Sequence, residues 1–425
     1  MDKPDPFANA TLCTHCGYCL PVCPTYQSDN DETHSPRGRV SIILALRNGT
    51  LSVDEAARTL STCLVCRACH VACPAGVKPA KLVSLMRGRQ PEPATRLSHW
   101  LHLVTDHPGR TALAARLLRW YQASGLQRLL RGSRLLRLIP PLQRLEALLP
   151  RHRADPIPEF PPRPLQSTAR VALLCGCMAR LFHPRTAPAT ANLLALAGCE
   201  VVLPQGFGCC GAPYRESGDR QAFLRQARAT LTAFANAPPV DAVLCDSAIC
   251  AVTIQGYARA LSHDPQLAQP ARELSARIVD LAGYLLPRLT ARGIRFGSPG
   301  GQSVTYHDHC QTRYGLGIIE EPRKLLDVLP ATRHELVAPG SIGACCGAGG
   351  VYMLRHPEHA RAIRADKLAA IQATGSDLVA ASNPGCILHL EAGLAESGSR
   401  TQVRHIAELI WTAYRNRTNH TREKP

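Results

Sequence analysis

Aromatic residues are scarce in this chain: Phe, Trp and Tyr make up 5% of 425 residues. Nucleic-acid binders commonly stack bases on aromatic rings beside basic side chains. No DNA- or RNA-binding signature accompanies the few rings here, so nucleic acid is set aside as a partner. No apolar run reaches the roughly 18 residues that suggest a membrane-spanning helix. The N-terminus, MDKPDPFANA, shows neither a basic n-region nor an apolar h-region, so no secretory signal is read there. Acids are few: 32 Asp and Glu stand against 49 Lys and Arg, a formal net charge of +17. That balance suits an anionic membrane surface or an acidic protein partner. With 45% hydrophobic residues the chain is globular and long enough for several buried cores.

Cysteine, by contrast, is plentiful, at 19 residues. A disulfide-built secreted domain is shorter and denser in Cys. Without a secretory signal the expected compartment is the reducing cytoplasm, where clustered cysteines point to metal or redox chemistry. Eight of them form two runs, CTHCGYCLPVCP (13–24) and CLVCRACHVACP (63–74), whose cysteines repeat 50 positions apart. The spacing C-x2-C-x2-C-x3-C-P is the iron–sulfur run of two-cluster ferredoxins, in which the fourth Cys ligates the other cluster. Two-residue gaps let a tight loop turn three thiolates toward one corner of a cubane. The fourth cysteine then starts a helix that leads to the second cubane. Cluster one is therefore assigned to Cys13, Cys16, Cys19 and Cys73, and cluster two to Cys63, Cys66, Cys69 and Cys23. A closed zinc site instead takes CxxC pairs separated by a longer loop. Segments 35–49 and 52–63, between the runs, read as helices, so residues 1–90 are expected to form a helical two-cluster ferredoxin module rather than a compact β-type one.

Residues 91–165 read as a basic helical segment and a linker. Between Arg110 and Arg151 there are nine Arg, no Lys and one acid, Glu146. Arg128, Arg131, Arg134 and Arg137 fall at three-residue steps, which predicts one basic helix face opposite a leucine face. Such a helix lies on a membrane, docks a partner, or is a linker with a solvated face. PRHRADPIPEFPPRP (150–164) carries six prolines and predicts an extended linker.

Beyond it, strand and helix patterns alternate. Strands are predicted at 170–175, 200–204 and 241–245, and again at 303–307, 334–337 and 377–382. Helices are predicted at 188–198, 218–236, 321–329 and 356–375. Alternation of this kind implies parallel sheets covered by helices. The fold class is thus α+β multidomain: a helical ferredoxin module followed by two duplicated α/β domains, at 166–300 and 301–425. Each duplicate places four cysteines just past its strands: Cys177, Cys209, Cys210 and Cys250 in the first, and Cys310, Cys345, Cys346 and Cys386 in the second. The 40-residue step from Cys210 to Cys250 recurs from Cys346 to Cys386. Open parallel sheets bind ligands at this edge. Four thiolates per site suit an iron–sulfur cluster or zinc, and the adjacent cysteines favour a cluster in at least one half. Cys175, Cys199 and Cys245 lie in or beside apolar strands and read as structural. His307, His309 and His389 lie near the second site, where a hydrogen bond to a cluster sulfur would tune potential. GFGCCG (206–211) matches a dinucleotide fingerprint, but no acid follows at the required distance, so neither flavin nor NAD is expected on this chain.

Two ferredoxin runs followed by two CCG domains resemble the glycolate oxidase (glycolate dehydrogenase) iron–sulfur subunit family. CGYCLPVCPTYQ, SPRGR (35–39), CLVCRACHVACPAGV, GCCGAPY, CCGAGGVYMLRHPEHA, NPGC and VRHIAELI (403–410) carry the resemblance across nearly the whole chain. Related subunits serve lactate oxidation and heterodisulfide reduction. The resemblance implies two [4Fe-4S] clusters on the eight ferredoxin cysteines, with a further cluster or zinc at the CCG cysteines. It also implies a hetero-oligomer in which flavin subunits oxidise glycolate and this chain passes electrons to a quinone-type acceptor. The place implied is the cytoplasm, peripheral on the inner membrane. Two departures stand out. Ile249 precedes Cys250 where Gly385 precedes Cys386, which is expected to restrict the first site. His309 stands where relatives often carry proline.

Overall fold

Both four-cysteine runs are loops hung between short helices. The computed structural model describes residues 7–89, 96–133, 135–151, 156–162, 167–336 and 345–422. Helix Pro36–Arg47 starts at Ser35, whose Oγ accepts the Gly38 N–H, with proline in the first turn. Helix Val53–Ser61 opens with a reciprocal Ser52–Glu55 capping box. These two and helix Pro79–Arg89 bury Val40, Ile43, Leu60, Leu82 and Val83 in one core, against which Cys13, Cys63 and Cys73 pack. The module is helical, as its spacer predicts.

The two crossing cysteines differ in their surroundings. Cys23 caps helix Pro24–Asp29, as expected. Cys73 instead ends the short helix Ala68–Ala72, and the next helix starts only at Pro79. Asn9 holds the intervening turn: its Nδ2 donates to Gly76 O at 3.2 Å and its Oδ1 accepts the Lys78 N–H at 2.7 Å.

Helices Arg96–Thr105, Pro108–Ala123, Leu126–Gly132 and Pro140–Leu148 follow. The single basic face expected for Arg128, Arg131, Arg134 and Arg137 does not form. The helix stops at Ser133, which is extended, and Leu135–Leu138 is a separate 3-10 turn. Arg131 turns inward. Its Nε lies 2.8 Å from a Glu146 carboxylate oxygen, and the same guanidinium donates to Glu146 O and Leu149 O. The cause is Glu146: a carboxylate with 8% side-chain exposure requires a cation. Arg134 and the side chain of Arg137 lie outside the described residues, as do 152–155 and 163–166 of the proline-rich stretch.

Two parallel four-stranded sheets complete the chain. The first joins β1 (Ala169–Leu174), β2 (Cys199–Val202), β3 (Ala242–Cys245) and β4 (Ile278–Val279) in the order β2-β1-β3-β4. The second joins β5 (Ser303–Tyr306), β6 (Thr332–His334), β7 (Leu378–Ala381) and β8 (Gln402–His405) in the order β6-β5-β7-β8. The duplication read from the cysteines is therefore a duplication of topology. The fourth strands were not predicted. β4 is two residues long and β8, QVRH, is too polar to stand out. β6 lies two residues before its predicted place, and Val337 is outside the described residues. Both sheets feed one core that includes Leu173, Leu193, Leu244, Tyr306, Leu378 and Ile410. Thr186 Oγ1 of the first half donates to Glu408 of the second at 2.6 Å. The strand ends also meet: Ser247 Oγ donates to Asn383 Oδ1 at 2.9 Å, and the Ala248 N–H donates to Ser382 O. Cys175, Cys199 and Cys245 are buried at 7%, 0% and 8% exposure, in keeping with structural roles.

Candidate metal centres

The two ferredoxin loops repeat a backbone device as well as a spacing. His15 and Gly17 in the first have positive φ, and so do Val65 and Arg67 at the same places in the second. A left-handed φ of 51° at β-branched Val65 is costly. It lets the loop curl its thiols to one side, and the Val65 N–H points to Cys63 Sγ at 3.4 Å. Cys23, Cys63, Cys66 and Cys69 line a single cavity, together with Arg39, Pro24 and Pro79. These are the four residues that the crossing pattern groups as cluster two. Of the other set, Cys13 and Cys73 pack on the module core, Cys19 is half-buried and Cys16 is exposed.

The cavity's chemistry suits a soft metal. Its donors are all sulfur, which favours iron–sulfur, zinc or copper(I) over hard cations. Burial pushes the Cys66 and Cys69 thiols well up, so bound positive charge is required to keep them as thiolates. Arg39, 2% exposed, supplies one such charge. Its guanidinium lies 3.9 Å from Cys23 Sγ and is held by Thr25 and Thr62 at 3.1 and 2.9 Å.

This module abuts the second CCG half. A neighbouring cavity is lined by Cys23 and Cys66 on one side and Cys310 and Cys345 on the other. Leu64 packs in the same core as Cys345 and Cys346. Arg87 pins the module to the first CCG half as well. Its guanidinium donates to Leu60 O, Ser61 O and Cys63 O at 2.8–2.9 Å and to Glu216 O at 3.1 Å. Gly218 meets the Arg87 backbone so closely that a Cβ would fall 1.9 Å from its carbonyl oxygen.

All eight CCG cysteines line one further cavity. The sequence placed them at two equivalent sheet edges, and the structure turns those edges toward each other. In each half the glycine after the cysteine pair has φ near 80° and sends its N–H to the first thiol at 3.4 Å, Gly211 to Cys209 and Gly347 to Cys345. A Cβ at Gly347 would lie 2.5 Å from Ala360 O, so the tight helix approach demands glycine there. Gly385 has no such demand, since a Cβ would meet nothing closer than 3.9 Å. Cys250, which follows Ile249, is buried at 4%, like Cys386.

The three histidines separate. His309 is committed: its Nε2 accepts the Ser382 N–H at 2.7 Å and its Nδ1 lies 3.0 Å from Thr312 Oγ1. His389 Nε2 lies 3.2 Å from Ala360 O. His307 is fully buried, and neither ring nitrogen has a partner among the described residues.

Several residues escaped the sequence reading. Glu216 lines the eight-cysteine cavity, and burial pushes its carboxyl up to about 7. Asp246, pushed up to about 7 by burial, accepts the Gly176 N–H at 2.7 Å. Lys367 is 1% exposed beside the second half's thiols. Arg39 ends the SPRGR segment and Asp246 follows a predicted strand, so position gave a signal for both. Glu216 and Lys367 sit in ordinary helical sequence and gave none.

An apolar cavity of about 390 Å³ adjoins the cysteine cavity, sharing Leu101, Met178, Met353 and Leu354 with it. Its other walls are mostly linker residues, among them Leu130, Leu136, Leu145, Leu149 and half-exposed Leu142, with Phe182 and Leu388 from the CCG halves.

Comparison with known proteins places this arrangement. Residues 9–77 match a 4Fe-4S dicluster domain, 171–255 and 304–391 match a cysteine-rich domain, and 100–149 match the linker region of the glycolate oxidase iron–sulfur subunit. A probable glycolate oxidase iron–sulfur subunit of Bacillus subtilis (strain 168) is 34% identical, over 96% of this chain and 94% of its own length. The chain belongs to the glycolate oxidase iron–sulfur subunit family. The glycolate oxidase iron–sulfur subunit of Escherichia coli (strain K12) is 30% identical over 94% of the chain and 92% of itself. Lactate utilization protein A of Shouchella clausii (strain KSM-K16) is 29% identical over 56% of the chain and 98% of itself. Membership makes this chain an iron–sulfur electron-transfer subunit of an oxidoreductase. Among the described residues no helix is long and apolar enough to cross a membrane.

Proposed function

We propose that this chain relays electrons from a flavin-containing partner, which oxidises glycolate to glyoxylate, toward a quinone-type acceptor. The observation that carries the reading is the unbroken run of sulfur donors. Thiols extend from exposed Cys16 through the cavity of Cys23, Cys63, Cys66 and Cys69, past Cys310 and Cys345, to the cavity of all eight CCG cysteines. Two [4Fe-4S] clusters fit the ferredoxin cysteines, as Cys13, Cys16, Cys19 and Cys73, and Cys63, Cys66, Cys69 and Cys23. Bound there, such clusters supply one-electron transfer at a potential set by burial, charge and hydrogen bonds to sulfur. The chain's own part is to hold the thiolates, exclude water and offset their charge with Arg39 and Lys367. The relatives' names support glycolate as the oxidised substrate and a hetero-oligomer as the working form.

The linker supports a lipid-soluble acceptor and peripheral attachment at the cytoplasmic face of a membrane. Of 16 exposed large apolar side chains among the described residues, 12 lie between Trp100 and Phe160. That stretch is also the arginine-rich one. Apolar anchors with Trp and Arg suit an anionic lipid interface. The apolar cavity leads from this surface to the cysteines.

A second reading, a thiol–disulfide reductase subunit, is favoured by one fact: all eight CCG cysteines share a cavity, room in which a sulfur substrate meets thiols from both halves. Lactate in place of glycolate is a variant of the first reading that the Shouchella relative keeps open. The deciding experiment is anaerobic purification with metal analysis, EPR after dithionite, and acceptor reduction by the assembled complex fed glycolate, lactate or a thiol. About eight irons and coupled cubane signals, with glycolate-driven quinone reduction, are expected. Zinc without iron, or turnover only with a thiol–disulfide couple, overturns the proposal.

A further inference from the structure

We propose that His307 is a direct metal ligand in the second CCG half, which makes that centre mixed nitrogen and sulfur while the first half is all sulfur. The inference rests on the reading that the CCG cysteines hold a metal. The ligating atoms of His307, Cys346 and Cys386 lie within 4.8 Å of one another, and all three residues are buried. Ligands sharing a tetrahedral metal at about 2.0–2.3 Å stand roughly 3.5–3.8 Å apart. Closing that gap takes small rotations of three side chains.

His307 itself points to the need. It is 0% exposed, and among the described residues neither ring nitrogen has a hydrogen-bond partner. A buried polar group left unpaired is unfavourable, and native structures rarely keep one without a reason. Its neighbours do not supply the partner. The His309 ring stands perpendicular to it at 5.1 Å, and both His309 nitrogens are engaged with Thr312 and Ser382. A metal ligated through one nitrogen satisfies one of the two polar atoms that the fold leaves open.

The duplication sharpens the point. Val171 of β1 pairs with Ala242, and Val304 of β5 pairs with Leu378, so the halves align by register. On that alignment His307 corresponds to Leu174, an aliphatic residue of the first core. The buried cation is one-sided too. Lys367, on helix Pro357–Ala373, faces Cys345, Cys346 and Cys386. A neutral imidazole in place of a thiolate leaves a centre less negative, and a nearby cation adds to this. Both changes raise a reduction potential. The second centre is then the first of the pair to accept an electron. It is also the one that abuts Cys23 and Cys66.

The test uses the full-length chain, purified anaerobically, with His307→Leu and His307→Cys. Leucine is the residue at the equivalent place in the first half, and cysteine offers a thiolate instead. Metal content is measured for all three. Pulsed EPR reads nitrogen coupling if the second centre is iron, and zinc-edge X-ray absorption reads the ligand shell if it is zinc. The expected result in the wild type is one strongly coupled nitrogen, or one nitrogen at about 2.0–2.1 Å beside sulfurs at about 2.3 Å. Either signature disappears in both variants, while the cubane signals persist and show that the chain is folded. An all-sulfur shell in the wild type, or a nitrogen signature that survives both substitutions, overturns the proposal. A wild-type chain with no metal beyond the cubanes overturns the underlying reading instead, and the metal count alone distinguishes the two failures. Should the leucine variant not fold, the cysteine variant and the wild-type spectrum still decide.

Discussion

Replacing Arg39 by glutamine should lower the potential of the centre proposed for the cavity of Cys23, Cys63, Cys66 and Cys69. Glutamine keeps a donor near Thr25 and Thr62 but removes the charge. Arg39 stands 3.9 Å from Cys23 Sγ. At that distance and an effective dielectric of about 20, two unit charges interact by about 4 kcal/mol. The electron added on reduction spreads over a cluster, so doubling the separation gives a lower bound of about 2 kcal/mol. For a one-electron couple these correspond to a downward shift of roughly 90–180 mV. The burial of Arg39 at 2% exposure keeps solvent screening small. The assay is a potentiometric titration followed by EPR, with cluster one as an internal reference because Arg39 contacts none of its assigned ligands. Equal shifts in both centres, or a potential unchanged within about 20 mV, would refute the electrostatic role. A loss of iron without any shift would make Arg39 a packing residue only.

Three further outcomes are expected. Gly218→Val should undock the ferredoxin module, because φ of 84° and a Cβ 1.9 Å from Arg87 O leave no room; hydrogen exchange should rise at 60–64 and 85–89 with iron content kept, and unchanged protection would count against the joint. Met178→Trp should obstruct the junction of the apolar and cysteine cavities, cutting reduction of a short-tailed quinone about tenfold, the effect of ~1.4 kcal/mol in binding, while a soluble dye is reduced as before. Equal loss with both acceptors would mean that the relay, not the channel, was damaged. Burial lowers the His405 imidazole to about 3 from its usual 6.5; its folded pKa is depressed, so the neutral ring favours the fold above about 6.5 and that contribution is lost as pH falls toward 3. His405→Leu should therefore gain on the wild type by up to about 1.4 kcal/mol per pH unit below 6.5 in urea unfolding, and a pH-independent gap would remove the argument.

Much of the site was legible because cysteine chemistry is written in spacing. Two-residue gaps fix a loop, and a loop fixes which thiols converge, so the run at 13–24 and its repeat at 63–74 declare their purpose without a fold. Strand and helix periodicity did the same for the CCG halves and set their cysteines at strand ends. Polar or very short segments carried too little pattern, which is why β4 and β8 were missed. The Arg128–Arg137 face failed for a related reason. Helical periodicity can place charges on one side, but it takes no account of a carboxylate 15 residues later that draws Arg131 inward.

The sequence alone determined the cysteine spacings, the duplication and the class of chemistry. Only the tertiary structure decided that both CCG edges face one cavity, that Cys23 and Cys66 stand against Cys310 and Cys345, and that His307 alone of three nearby histidines has, among the described residues, two unpartnered nitrogens. The physical reason is range. Local spacing and periodicity act over a few residues, whereas these contacts join segments hundreds of residues apart through packing and buried hydrogen bonds, and they exist only once the two sheets share a core.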